Sequence, residues 1–405
     1  MDTTFFHIDV NSAFLSWSAV YKLKQGDTID LREIPSIIGG DIQRRHGVVL
    51  AKSVPAKAFH INTGEPIVNA LKKCPFLTIE SPNHALYEEY SANLMDYLSH
   101  ICPDIEKVSI DECFMDFTPI ATHYESPIQA ATQIKDSIYK KFGFTVNIGI
   151  SNKKVLAKMA SDFKKPNLVH TLFDYEIAKK MWPLPVSSLY MCGKSSVDAL
   201  KKLGILTIGD LACANPDIIV SHLKSHGQLL WEYANGIDDS VIENAPSELK
   251  GIGNSITLTK DAVTRDEAFR VLLSLSETVC SRLRTANQSA GMVSTEIKYS
   301  TFKSVSHQTT LKTASNTNEI IYKTACTLFD ELWDGTPIRL LGVRTSKLVS
   351  KDEPVQMNLF DMQSVSEVTA SSQKQTKLDA AIDSIRQKYG NSAIVRASLL
   401  SNPKD

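Results

Sequence analysis

The chain lacks the marks of several large protein classes. Its seven cysteines are scattered, and no two form a C-x-x-C pair. That argues against structural zinc and against a disulfide framework, and it fits a reducing cytosol. No run is long or apolar enough to span a bilayer. The first residues enter a strand-like segment at once, without a basic flank or small-residue cleavage site, so no secretory leader is expected. Charge of one sign is also missing: the formal net charge is −1, which does not by itself mark a nucleic-acid binder. What these absences leave is a soluble, cytoplasmic, globular protein. At 405 residues it is too long for one ordinary core, so two to four domains are expected.

The features that are present point to acids. Phe5-Phe6-His7-Ile8-Asp9-Val10 is an extended apolar run that breaks at a carboxylate. Val108-Ser109-Ile110-Asp111-Glu112-Cys113-Phe114-Met115-Asp116-Phe117 carries an adjacent acidic couplet. Charges at the rim of a core cost free energy unless something pairs with them. A pair of Mg²⁺ ions about 4 Å apart would do so, and would clamp the attacking and leaving oxygens of an in-line displacement at phosphorus. Asp9, Asp111 and Glu112 are therefore the candidate metal ligands.

Periodicity predicts the surrounding elements. A strand from Thr4 to Val10 leads into a helix, with Asn11 or Ser12 as N-cap. Residues 37–80 read as a small α/β insertion. A helix over 85–100, a hairpin bearing Asp111 and Glu112, a helix over 128–141, a strand over 144–151 and a helix over 153–163 follow. The order β-α-(insert)-α-β-β-α-β-α suggests an antiparallel or mixed sheet backed by helices, close to the ferredoxin-like class. Pro183 and Pro185 mark a boundary, beyond which residues to about 239 read as all-helical. There Met191-Cys192-Gly193-Lys194-Ser195-Ser196 sits at a glycine turn whose backbone N–H groups can hold a phosphate, the logic of a helix–hairpin–helix; the bland alternative is a helical hairpin with glycine C-caps.

Residues 240–255 read as a linker containing Pro246, Gly251 and Gly253. Beyond it lies another α/β unit, with a helix over 265–287, strands over 292–302, 308–313 and 338–343, and a helix over 318–332. Two basic series stand out: Lys153, Lys154, Lys158, Lys164 and Lys165, and Arg282, Arg284, Lys298, Lys303 and Lys312. Either is a solvated face or a phosphate-tracking surface, the latter helped by Ser304, Ser306 and Thr309. After Ser350 the chain turns polar. Lys377 to Tyr389 is an amphipathic helix with Leu378, Ile382, Ile385 and Tyr389 on one face, expected to pack back on the body, and 393–399 reads as a short strand.

These residues together resemble the Y-family of DNA polymerases, the DinB/UmuC superfamily of translesion enzymes that includes the bacterial polymerase IV/V-like members. Asp9-Val10-Asn11-Ser12-Ala13-Phe14 resembles the family's first motif, and Ser109-Ile110-Asp111-Glu112 its second. Lys158-Met159-Ala160-Ser161-Asp162-Phe163-Lys164-Lys165-Pro166-Asn167 resembles its palm–thumb junction. The resemblance implies an α+β multidomain, right-hand polymerase. Residues 1–25 and 76–165 would form a ferredoxin-like catalytic palm, 26–75 small fingers, 166–240 an all-helical helix–hairpin–helix thumb, 241–255 a linker, 256–350 a DNA-binding α/β little finger and 351–405 a tail. The implied reaction is template-directed, low-fidelity deoxynucleotidyl transfer from dNTPs to the primer 3′-hydroxyl of a primer–template, releasing pyrophosphate, in damage tolerance. A monomer is expected.

Carried over by position, Asp9, Asp111, Glu112 and the Val10 carbonyl would hold two Mg²⁺. Asn11, Ser12, Ala13, Ser53, Lys57 and Lys165 would bind the nucleotide, and Phe14 would be the steric gate that excludes a ribose 2′-hydroxyl. Gly193, Lys194, Ser195, Lys298, Lys303 and Ser304 would contact DNA. The finger segment departs from the DinB-type Tyr-x-x-Arg: Val54-Pro55-Ala56-Lys57 stands there, closer to the UmuC-like branch, and a lysine is a point charge where arginine is a bidentate fork. Met191 stands where a first hairpin glycine is usual. Gln356-Met357-Asn358-Leu359-Phe360 resembles the peptide that docks bacterial polymerases on the sliding clamp, with Gln356, Leu359 and Phe360 as its anchors. Two other readings compete: a nucleotidyl cyclase, which also sets metal-binding acids on a ferredoxin-like sheet, and a catalytically weak scaffold that binds DNA and clamp.

Overall fold

The computed structural model describes residues 3–40, 47–244, 248–350, 365–390 and 392–399. They divide into two compact units, residues 3–40 with 47–244, and residues 248–399 as far as they are described.

The first unit opens with β1 (Phe5–Val10) and α1 (Ala13–Lys24). The insertion follows as β2 (Ser36–Gly39), β3 (Val49–Lys52), α2 (Val54–Lys57), α3 (Ile67–Lys73) and β4 (Thr78–Glu80). Its three strands pair in the order β3-β2-β4 over a small core of Ile37, Val49, Ile61 and Ile67. The chain then returns through α4 (His84–Ile101), β5 (Ile105–Lys107), β6 (Glu112–Asp116), α5 (Pro127–Phe142), β7 (Val146–Ser151), α6 (Lys154–Ser161) and β8 (Val169–Thr171). The main sheet is mixed, in the order β5-β6-β1-β7-β8, with β7–β8 its parallel pair.

Alternation along β1 explains the layers. Phe6, Ile8 and Val10 enter the main core with Trp17 of α1, Leu94 and Leu98 of α4, and Ile134 and Ile138 of α5. On the opposite face Phe5 packs with Phe114 and Ala157 of α6. The close approach of α6 to the sheet depends on one glycine. A Cβ on Gly149 of β7 would stand 2.0 Å from the Ala157 carbonyl oxygen and 2.5 Å from the Ser161 nitrogen. The helical segment comprises α7 (Ile177–Lys180), α8 (Lys194–Lys202), α9 (Ile208–Cys213) and α10 (Pro216–Ala234), the last kinked at Lys224. Gly204, at φ +79°, turns the chain between α8 and α9.

The second unit comprises β9 (Gly251–Ala262), α11 (Arg265–Thr285), β10 (Gln288–Tyr299), β11 (Ser304–Ser315), α12 (Asn318–Leu332), β12 (Ile338–Ser350) and α13 (Val365–Tyr389). Its antiparallel sheet runs β11-β10-β12-β9, and α11 and α12 cover one face around Leu272, Val279, Val293, Ile297, Phe329 and Leu341.

Three local expectations change. The stretch read as a linker to 255 is a strand from Gly251 onward. Its glycines admit a neighbour: a Cβ on Gly251 would meet the Thr345 carbonyl at 2.4 Å, and one on Gly253 would meet Arg344 at 3.1 Å. Residues 393–399 are not a strand; Ala397–Leu399 is one 3₁₀ turn. Finally, α13 docks by charge, not by its apolar stripe. Leu378, Ile385 and Tyr389 are exposed, whereas Asp379 is buried. Asp379 accepts from the Asn318 backbone N–H (3.0 Å) and side-chain amide (3.1 Å), serving as the acid at the N-terminus of α12.

Candidate active site

The register of β1 and β6 sets Asp9 opposite Glu112, and the Val10 N–H donates to the Asp111 carbonyl at 3.0 Å. Three acids from two adjacent strand ends thus share one rim. Two lysines meet them. Lys158 Nζ lies 2.5 Å from Glu112 and 3.6 Å from Asp9. Lys165 Nζ lies 2.9 Å from Asp9 and 2.8 Å from Asp162. Burial pulls both ammoniums down, but the facing carboxylates outweigh it and hold both above the ordinary lysine value.

The acids respond in opposite directions. Glu112 is held down at about 2, by His7 first and then Lys158, against the effect of burial. Asp111 is pushed up by burial, with Asp9 and Glu112 adding like charge; the Ser109 hydroxyl, donating at 2.7 Å, offsets only part of this. Among the described residues no lysine or arginine lies within ion-pair distance of Asp111.

As the side chains stand, no three His, Cys, Asp or Glu groups among the described residues converge tightly enough to hold a metal. The donor chemistry nevertheless fits a hard divalent cation: three carboxylates on one rim, with a strand-end carbonyl beside them. The two ammoniums mark where positive charge is wanted, and one acid has none.

The nucleotide-binding candidates gather around a cleft of about 380 Å³ lined by Asp9, Val10, Ser12, Ala13, Phe14, Lys57, Asp111 and Lys165. Ser12 stands at the N-cap position of α1, but at φ +48° its hydroxyl caps nothing, so the first turn of the helix meets the cleft without a side-chain cap. Phe14 lies flat on Tyr87, ring centroids 4.4 Å apart and 8° from parallel, with His84 edge-on at 6.1 Å. Lys57 ends the single turn of α2. That turn is pinned by Ser53, whose buried hydroxyl caps Ala56 N at 3.1 Å and donates to Ile34 O at 2.7 Å. Asn11 is buried, and its amide oxygen accepts from Asn167 N (2.8 Å) and the Thr145 hydroxyl (2.9 Å) while its Nδ2 donates to Asn147 at 3.2 Å. Asn147 in turn donates to Lys164 O at 2.7 Å, so two amides anchor the segment that carries Lys165.

Sequence reasoning missed Lys52 and Thr63 in the cleft wall, and gave Lys158 and His7 no role. The alternation Val49-Leu50-Ala51-Lys52 could have suggested Lys52; the His7 partner lies 154 residues away and left no local signal.

Elsewhere, Gly193, Lys194 and Ser195 are exposed at the start of α8, and Met191 occupies the left-handed region at φ +65°, as a glycine would without strain. Lys298 and Ser304 are register partners on the β10–β11 hairpin, with Lys303 in its turn. Lys298 (5.4 Å) and Arg339 (4.6 Å) both face the exposed ring of Phe302. The basic series are less uniform than their spacing suggests. Lys154 is buried against Glu106 at 2.6 Å, and Arg284 pairs with Asp383 of α13 at 2.6 Å, so neither faces a solvated phosphate track. The peptide with Gln356, Leu359 and Phe360 lies outside the described residues.

Residues 8–162 match the impB/mucB/samB family, and residues 249–359 match the C-terminal domain of that family. The chain is 46% identical over 400 residues to the DNA polymerase IV of Clostridium acetobutylicum, covering 99% of each protein. It is 36% identical over 402 residues to that of Alkaliphilus oremlandii, covering 99% of this chain and 100% of the relative. A solved Y-family DNA polymerase chimera superposes with a TM-score of 0.74 at 22% identity, over 86% of this chain and 99% of the other, a likeness of fold.

Proposed function

Because the chain belongs to the impB/mucB/samB family, and with it to the Y-family DNA polymerases, we propose that it extends a primer 3′-hydroxyl with deoxynucleotides on a template, including damaged templates, with low fidelity. The observation that carries the reading is the rim of Asp9, Asp111 and Glu112 beside a cleft bearing Lys57 and Lys165.

Asp9, Asp111, Glu112 and the Val10 carbonyl would hold two Mg²⁺. Bound there, the ions would lower the pKa of the primer hydroxyl and neutralise the triphosphate and departing pyrophosphate. The protein's own groups prepare the site. Lys57 and Lys165 supply positive charge for the phosphates, and the uncapped first turn of α1 offers the N–H groups of Ser12 and Ala13. Phe14, braced by Tyr87, presents a flat ring where a ribose 2′-hydroxyl would need room.

In domain terms, residues 1–25 and 76–165 act as palm, 26–75 as fingers, 166–240 as thumb and 256–350 as the DNA-binding little finger. Gly193, Lys194 and Ser195 hold one stretch of backbone, and Lys298, Lys303 and Ser304 another. The 356–360 peptide docks on a sliding clamp and raises processivity by effective concentration. The enzyme works as a cytoplasmic monomer; no helix among the described residues is long and apolar enough to cross a membrane.

Primer extension with Mg²⁺ and four dNTPs tests the reading. The Asp111→Ala/Glu112→Ala double variant is expected to bind primer–template but insert nothing; insertion equal to wild type would sink the assignment. Phe14→Ala is expected to incorporate ribonucleotides, and unchanged discrimination would remove the gate role. Leu359→Ala with Phe360→Ala should lose clamp-stimulated synthesis alone; equal loss without clamp would contradict the docking role.

A further inference from the structure

We infer that His7 is a positioning residue for Glu112, a fixed arm that keeps the carboxylate aimed at the rim when a divalent cation takes the place of Lys158. The inference rests on reading Glu112 as a cation ligand.

His7 lies on β1, two residues before Asp9, and is fully buried. Its Nδ1 is 2.8 Å from the Ser161 hydroxyl. Its Nε2 faces Glu112 Oε2 at 3.3 Å, a long contact, and has no other partner among the described residues. The ring is held edge-on by Phe114, centroids 4.7 Å apart. A buried ring nitrogen whose one polar neighbour is a carboxylate at 3.3 Å is costly, and an apolar ring would pack here without that cost. The imidazole therefore asks for an explanation beyond filling space.

The carboxylate places the proton. Ser161 has one hydroxyl proton and two neighbours at 2.8 Å, the Lys158 carbonyl, which only accepts, and His7 Nδ1, which donates or accepts according to the tautomer. A neutral imidazole facing an ionised carboxylate keeps its proton on the nitrogen nearer the acid, which is Nε2. The Ser161 hydroxyl, which also reaches the Lys158 carbonyl, then turns its one proton to Nδ1. Ser161→His7→Glu112 becomes a chain of the kind that orients metal-binding groups from behind.

Both arms on Glu112 start from one helix. Lys158 and Ser161 lie one turn apart on α6; the first reaches the acid directly and the second through His7. The direct arm is an ammonium on a flexible stem, and a metal must displace it. The indirect arm is buried and rigid, and it stays.

Binding of Mn²⁺ alone to the full chain, followed by the loss of the free-ion electron paramagnetic resonance signal, tests this. His7→Phe is expected to weaken binding about 10- to 100-fold, the usual effect of removing such a partner. His7→Gln, which keeps an N–H, should recover most of it. Nitrogen-15 shifts of the His7 ring should place the proton on Nε2, and Ser161→Ala should move that balance. If His7→Phe does not fold, as read by thermal denaturation, His7→Gln and Ser161→Ala carry the test. Wild-type affinity in His7→Phe, with Asp9→Ala and Glu112→Ala both weakened, would overturn the inference and leave the ligand reading standing; so would a ring proton on Nδ1. Wild-type affinity in Asp9→Ala and Glu112→Ala would overturn the ligand reading itself, and the inference with it.

Discussion

In the second unit Glu277, Asp379 and Asp383 meet Arg284, Arg386 and Arg396; in the first, Asp9, Asp111 and Glu112 meet Lys158 and Lys165. Both sets hold three acids. In the second unit each acid touches a guanidinium, and Asp379 also takes two hydrogen bonds from Asn318. In the first unit the Asp111 carboxylate takes the Ser109 hydroxyl and meets no cation among the described residues, and burial raises its pKa, with the like charges of Asp9 and Glu112 adding to the rise. Arginine is a planar, permanently charged fork suited to closed ion pairs, whereas lysine is a mobile point charge. The closed set holds α13 in place. The open set, whose two lysines also pair with Asp162, has fewer positive charges than acids and a cleft beside it, the arrangement expected where the counter-charge comes and goes.

The contrast can be broken in several ways. The largest effect should come from Asp379→Ala, which leaves the start of α12 without its acid and Arg284 with Asp383 alone. A loss of about 3–5 kcal/mol is expected from breaking a buried pair, read from urea unfolding; a loss below about 1 kcal/mol would show the network to be ornamental. Asp111→Asn should do the opposite in metal-free protein, raising the melting temperature because it removes an unmatched charge. A lower melting temperature would mean that Asp111 is already satisfied.

The smallest effect is in pH dependence, and its sign differs between the two rim acids. Glu112, held at about 2 against an ordinary 4.5, contributes stability that is complete above pH 4.5 and is lost as pH falls through about 2. Asp111, raised, carries a penalty at neutral pH that is relieved as pH falls through its folded pKa. The stability gap between wild type and Glu112→Gln should therefore stay level down to about pH 4.5 and then close. The gap to Asp111→Asn has the opposite sign and should close as pH falls through the raised pKa of Asp111. Parallel closure of both would refute the opposite shifts.

The rim itself was legible because acids that interrupt apolar strands are rare and local. Periodicity left the sheet antiparallel or mixed, and the parallel β7–β8 pair makes it mixed. What stayed hidden depended on distant partners. Nothing near His7 announces Ser161, and nothing near Asn11 announces Asn147 or Asn167. Arg284 reads as part of a basic series until Asp383 is seen against it. Gly251 and Gly253 look like linker residues; the structure shows them making room for the backbone and Arg344 of β12. Composition distinguishes poorly between a glycine that loosens a chain and one that lets another strand come close.

Gly149 has a consequence for how such a protein can change over time. Backbone rests on bare α-carbon where α6 crosses Gly149, so at that contact the height of the helix above the sheet is not set by a β7 side chain. Substitutions in the apolar core lie on the far side of the sheet, among Phe6, Ile8 and Ile148. They can drift, repack and trade stability while the spacing of Lys158, Ser161 and the two strand-end acids stays put. The chemistry is insulated from the accidents of its own interior.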